Sequence, residues 1–189
     1  MSKFIPMEDV AAHIIARAQG GDHAAFRTIA QTYSPRLQSV IRRLIRDYET
    51  EQDILQDVLT KAYIQLPRFR GDSSLGTWLH RIAYTTSLNH LRSVRRAPQH
   101  EVINEEEVAV FSASMFDEMD GELIRSVLQS ELEKLSPLYA VVVDLFYIQE
   151  LRYEDIVRVT GMPMGTVKAR LNRARNMLRN AVLSKLGEQ

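Results

Sequence analysis

The chain has 189 residues, with 24 Lys plus Arg balanced by 24 Asp plus Glu, so its formal net charge is zero and a uniformly basic nucleic-acid binder is excluded. It contains no cysteine, which removes disulfide and thiolate chemistry and fits a reducing cytosol. The N-terminal MSKFIPMEDV lacks a signal-peptide core and no run approaches the roughly 18 apolar residues of a membrane span, so a cytoplasmic protein without membrane insertion is expected.

Charge is nevertheless segregated along the chain. Residues 67–97 carry six basic residues and one acid, residues 98–122 eight acids and no base, and residues 152–179 seven bases and two acids. Two basic modules separated by an acidic connector are the simplest reading.

Helices are predicted over residues 8–19 and 22–47. In the second, Phe26, Ile29, Ala30, Tyr33, Leu37, Val40, Ile41, Leu44 and Ile45 recur at steps of three and four and form a core face, with Asp22 placed to cap it after Gly20 and Gly21. Pro35 is expected to kink or divide this helix. A third helix, residues 51–66, has Leu55, Val58, Leu59, Ala62 and Leu66 on one face and Asp53, Gln56, Asp57 and Thr60 on the other, with Ile64 among them. That outer face serves either simple hydration or docking.

Pro67 stops the helix before the loop RFRGDSS. Its arginines, Gly71 and short polar residues offer N–H and guanidinium groups to an anion or an extruded base, although such loops are common. A long helix over residues 75–96 follows, with Leu75, Trp78, Leu79, Ile82 and Thr86 on one face and Arg81, Thr85, Asn89 and Arg92 along the neighbouring stripe. Trp78 is assigned to the core. His80 and Tyr84 are expected on the outer face, where an aromatic ring has room to stack on a base.

Residues 97–121 lose periodicity and read as a flexible acidic linker between domains spanning residues 8–96 and 122–186. Periodicity returns over residues 122–133 through Leu123, Val127, Leu128 and Leu132. Ser136-Pro137 is placed to cap and start a further helix to about Tyr147, burying Val141, Val142, Leu145 and Phe146.

The stretch LRYEDIVRVTGMPMGTVKARLNRARNML then outlines a helix-turn-helix. Its first helix spans residues 152–160, Gly161 sits where a left-handed C-terminal residue is easiest, and Pro163 suits the start of the next helix. On that second helix Val167, Leu171, Ala174 and Leu178 share the buried side. Ala169, Asn172, Arg173 and Asn176 lie opposite, flanked by Lys168, Arg170 and Arg175, a face suited to DNA. With no convincing strand pair, the fold class is all-α: two small helical domains joined by a flexible acidic linker, the second containing a helix-turn-helix.

Catalytic signatures are missing. The histidines at 13, 23, 80, 90 and 100 have no metal-ligand spacing, and there is no P-loop, GxGxxG or GxSxG pattern, so no catalytic residue, metal or cofactor is expected.

Taken together, these blocks resemble the bacterial extracytoplasmic-function (group 4) sigma factors of the sigma-70 type, from about Phe26 to Leu183 apart from the connector. EQDILQDVLTKAY is similar to that family's core-polymerase-binding helix, FRGDSSLGTWLHRIA to its minus-ten region and LRYEDIVRVTGMPMGTVKARLNRAR to its minus-thirty-five reader, in the family's order. The resemblance implies that Asp53, Gln56, Asp57 and Thr60 dock on core RNA polymerase. It implies that Arg70, Gly71, Asp72, Ser73 and Ser74 hold a flipped base, and that Arg81, Thr85, Asn89 and Arg92 lie along the minus-ten stripe. Family members frequently carry Asn at the place of Thr85 and Asp at that of Asn89. Lys168, Ala169, Asn172 and Arg173 would face the major groove of promoter DNA, with Tyr153 and Thr166 near phosphates, and the connector would thread through polymerase. The resemblance implies a sigma factor that gives promoter specificity and assists promoter opening, is stress- or signal-responsive, and is held by an anti-sigma factor, commonly membrane-anchored, as a further partner. The rival readings are a two-domain helix-turn-helix transcription regulator that does not dock on polymerase, and an all-helical enzyme.

Overall fold

The computed structural model describes residues 10–94, 132 and 134–187, and among them it contains helices and turns only. The connector, and nearly all of the helix expected over residues 122–133, lie outside the described residues.

Helices α1 (Ala12–Gln19), α2 (His23–Leu44), α3 (Tyr48–Gln65) and α4 (Leu75–Val94) form the first module. Asp22 caps α2 as its sequence position suggests, its carboxylate accepting from the Ala24 and Ala25 N–H groups at 2.9 and 3.1 Å. Helix α3 begins earlier than the periodicity indicated because Asp47 caps it through the Thr50 N–H at 2.8 Å.

Of the two outcomes expected at Pro35, division does not occur: α2 runs through it. Buried Ala25, Ile29 and Tyr33 precede it and Leu37, Val40, Ile41 and Leu44 follow, so one continuous apolar face spans the proline. Pro35 and Gln31 are both exposed, leaving the Gln31 carbonyl that the proline cannot serve open to water.

The second module holds α5 (Pro137–Val143), a π-helical turn (Asp144–Ile148), α6 (Tyr153–Thr160) and α7 (Met164–Gly187). Ser136 occupies the cap position of α5 but makes no capping bond, and its buried Oγ has no partner among the described residues. The helix expected to continue to Tyr147 widens into the π-turn instead. Arg152 at the start of α6 also makes no capping side-chain bond, while Gly161 at its end is left-handed, with φ 71°. Val167, Leu171 and Ala174 are fully buried and Leu178 nearly so, the side expected of them.

The modules pack on each other. Helix α6 runs against α4, and α5 with its π-turn runs against α2.

Candidate polymerase and nucleic-acid interfaces

On α3, Asp53, Gln56, Asp57 and Thr60 all reach the surface. They are not equivalent. The Thr60 hydroxyl is turned back onto the Gln56 carbonyl at 2.9 Å and Lys61 Nζ donates to Asp57 at 2.7 Å, while Asp53, Gln56 and Thr60 border an open groove of about 510 Å³. Phe26, Leu55, Leu59 and Tyr63 supply its apolar lining. Ile64 on the same helix is 68% exposed. The groove thus has a polar rim over an apolar floor.

The loop after α3 is fixed at both ends. Gln19 Nε2 donates to the Leu66 and Phe69 carbonyls at 3.2 and 2.8 Å, and the Phe69 ring leans on Trp78 with centroids 5.1 Å apart. Gly71 takes a positive φ of 77° that lets the chain reverse. Ser74 then caps α4, its Oγ accepting from the Thr77 N–H at 3.0 Å. Arg70, Gly71, Asp72 and Ser74 are exposed and Ser73 half-buried, so the loop is a held rim with its polar groups outward.

Arg81, Thr85, Asn89 and Arg92 are exposed along α4. Tyr84 and His80, expected beside them at the surface, are buried at 3% and 0% exposure. The reason is a second covering layer: α4 packs on α2 and α3 with one face and on α6 with another. Burial raises the Tyr84 phenol above its ordinary pKa, partly offset by Arg170 and Arg92. Neither ring is available for stacking on a base.

In the second module Lys168 is exposed, while Thr166, Ala169, Asn172 and Arg173 are half-buried. Tyr153 is stacked on Phe146, with centroids 5.0 Å apart, and the Lys168 ammonium lies 5.8 Å above the Tyr153 ring. These contacts bring Tyr153 and Lys168 together at one end of α7. Arg170, read from sequence as a flank of the basic face, is instead 8% exposed and donates to Met162 Sδ at 3.3 Å.

The sequence reading missed one group of residues entirely. Asp144 has no accessible side-chain surface and accepts from Ser39 Oγ at 2.6 Å and Arg43 Nε at 3.0 Å, both on α2, and from Gln149 Nε2 at 2.9 Å. The available signal was a lone acid inside the apolar run AVVVDLF. An acid buried in such a run needs strong donors nearby.

Comparison with known proteins places the chain in a family. Residues 29–97 match the family model for Sigma-70 region 2, and residues 125–178 match Sigma-70, region 4. The RNA polymerase sigma-H factor of Pseudomonas aeruginosa is 32% identical over 183 residues, spanning 93% of this chain and 95% of that protein. The ECF RNA polymerase sigma-E factor of Escherichia coli is 30% identical over 177 residues, 89% of this chain and 92% of the relative. Among solved structures, the sigma factor RpoE in complex with the anti-sigma factor NepR from Bartonella quintana superimposes with a TM-score of 0.62 at 25% identity, covering 83% of this chain and 96% of that one. CnrH in complex with the cytosolic domain of CnrY shares the fold, with a TM-score of 0.61 at 23% identity, over 91% of this chain and 96% of that one. The chain belongs to the sigma-70 family of RNA polymerase sigma factors, in its extracytoplasmic-function group, whose members serve transcription initiation.

Proposed function

We propose that this sigma factor docks on core RNA polymerase through the α3 surface at Asp53, Gln56, Asp57 and Thr60, and reads promoter DNA with two separate faces. Arg70 to Ser74 hold a flipped base while Arg81, Thr85, Asn89 and Arg92 follow the minus-ten strand. Lys168, Ala169, Asn172 and Arg173 enter the upstream major groove, with Tyr153 and Thr166 against phosphates. The observation that carries this reading is that the Arg70 loop, held by Gln19, the Phe69–Trp78 contact and the Ser74 cap, and the stripe of Arg81, Thr85, Asn89 and Arg92 on the following helix are both exposed.

The chain performs no chemistry of its own in this scheme. Promoter opening is driven by binding free energy applied to the melted state, since a base leaves the stack only when its extruded form is held. Linking two weak readers on one polymerase raises the effective concentration of the second once the first is engaged. Ala169 makes only apolar contact, as with a thymine methyl group, and Arg173 bonds guanine at two atoms. The partner that silences the protein is an anti-sigma factor, supported by the relative from Bartonella quintana that was solved with one. Its membrane anchoring, and a cytoplasmic site of action where polymerase and DNA meet, belong to the same reading. No described helix is long and apolar enough to cross a membrane.

Co-purification with core polymerase tests the docking surface. Asp53→Ala combined with Gln56→Ala is expected to weaken that association at least tenfold while leaving thermal stability unchanged. A chain that never binds core enzyme would instead support the regulator reading.

A further inference from the structure

The loop from Arg70 to Ser74 is held in part by a helix that belongs to neither reading face. Helix α1 ends at Gln19, ahead of the stretch 29–97 matched as Sigma-70 region 2. It packs on α2 and on the single-turn helix Leu66–Arg68 that leads into the loop. Ala18 is buried, and Ile14 and Ile15 are packed against the core.

The turn after α1 sets the direction of the Gln19 side chain. Gly21 takes a φ of 90°, the Asp22 N–H returns to the Arg17 carbonyl at 3.1 Å, and Arg17 donates twice to the Asp22 carboxylate, at 2.9 and 2.6 Å. Asp22 also caps α2, so the end of α1 and the start of α2 form one fastened corner.

From that corner Gln19 Nε2 reaches the Leu66 carbonyl at 3.2 Å and the Phe69 carbonyl at 2.8 Å, across 47 and 50 positions of chain. A primary amide carries two N–H donors, one for each carbonyl. Carbonyls at a helix end need donors from outside the helix, and α1 supplies them here. Phe69 is thus fixed at its backbone by α1 and at its ring by Trp78 of α4, one residue before the loop begins. A loop that receives an extruded base binds it best when already in place, because ordering on contact subtracts from affinity.

We propose that Gln19 is a positioning residue for base capture: it acts through the Phe69 carbonyl to hold the Arg70 to Ser74 loop where an extruded base is received, which makes α1 part of the minus-ten reader. The proposal rests on the base-holding role given to that loop above. Donor chemistry then matters more than shape. Gln19→Ala removes the donors, Gln19→Glu keeps the size but sets a carboxylate against two carbonyl oxygens, and Gln19→Arg restores N–H groups.

The test is transcription by core enzyme carrying the full chain, on a promoter library randomised in both elements and scored by sequencing. Gln19→Ala is expected to lower base preference at the most selective minus-ten position about tenfold, Gln19→Glu to lower it further, and Gln19→Arg to retain most of it. Upstream preference and association with core enzyme stay within about twofold of wild type, since those faces share no contact with Gln19. Gln19→Asn keeps the amide but is one methylene short of spanning both carbonyls. It is expected to fall between wild type and Gln19→Ala, and covers the case in which Gln19→Glu fails to fold.

Undiminished minus-ten preference in Gln19→Ala overturns the proposal. Equal loss in both elements, or a Gln19→Glu chain more selective than Gln19→Ala, also overturns it by reducing Gln19 to packing. Gly71→Val, which distorts the loop at its left-handed residue, separates this failure from that of the reading beneath it. If Gly71→Val leaves minus-ten preference intact, the base-holding role of the loop fails and the proposal with it. If Gly71→Val lowers that preference and Gln19→Ala does not, the proposal alone fails.

Discussion

Helices α4 and α7 both carry arginines and short polar residues at helical spacing, yet the fold treats them differently. On α4 the whole stripe of Arg81, Thr85, Asn89 and Arg92 stays in solvent, while the neighbours His80 and Tyr84 are covered. On α7 the basic residues divide: Lys168 is exposed, Arg173 is half-buried, and Arg170 is packed beside Met162. A basic face read from periodicity therefore mixes solvent-facing residues with residues that seat the helix, and burial separates them. The aliphatic stem of arginine allows both uses.

The contrast is sharpest in stability. Leu171→Ala, at a fully buried position of α7, is expected to cost about 2–5 kcal/mol, and Thr85→Ala on the α4 stripe less than about 0.5 kcal/mol. Chemical denaturation of the two variants checks this, and similar losses would break the distinction between seat and reader. A promoter panel applies the same question within α7. Arg173→Ala is expected to relax one upstream base position by about 1–3 kcal/mol, whereas Arg170→Ala leaves base preference unaltered. Matching changes in base preference would return Arg170 to the reading face.

Acidity probes the covered side of α4. Burial holds His80 below the ordinary histidine pKa of about 6.5, opposed by its bond to Gly76 and by the Asp144 charge, assisted by Arg36, and again opposed by Gln149. The chain with its modules packed together therefore binds fewer protons than one with them apart. That packing is at full strength above the ordinary value and weakens as pH falls through it, by at most about 1.4 kcal/mol per pH unit. Energy transfer between labels at Gln31→Cys on α2 and Asn180→Cys on α7, both exposed, titrated from neutral to mildly acid pH, should show separation on acidification that His80→Gln abolishes. The smallest effect is expected from Arg158→Ala, whose bond to the Asp72 carbonyl is exposed; it should shift the packing equilibrium by less than about 0.5 kcal/mol in the same assay.

Much of this architecture was legible before any coordinates. Periodicity found the buried side of α7, and local chemistry found the Asp22 cap and the left-handed Gly161, because each depends on residues close in sequence. That α2 passes Pro35 undivided was not legible from the residue itself, because a helix-breaking residue loses to an apolar face that continues on both sides of it. His80 and Tyr84 were misjudged because a single-helix projection shows one core face, whereas α4 is covered twice. The groups around Asp144 escaped notice for the same reason: Ser39 and Asp144 are 105 positions apart, and only tertiary contact joins them. The proposed DNA and polymerase faces are solvent-facing by nature, so periodicity locates them but is silent on what covers them.

The π-turn of residues 144–148 gives the junction around Asp144 its own spectroscopic reporter. The Gln149 backbone N–H donates to the Asp144 carbonyl at 2.9 Å, while the Gln149 side-chain amide donates to the carboxylate of the same aspartate at 2.9 Å. One residue thus closes the wide turn and braces the carboxylate, so helical phase and module packing are mechanically joined. Rewinding the turn to ordinary α geometry would rotate Gln149 off its acceptor. The two nitrogen resonances of Gln149 should consequently move together, one from the backbone and one from the side chain, whenever the modules part.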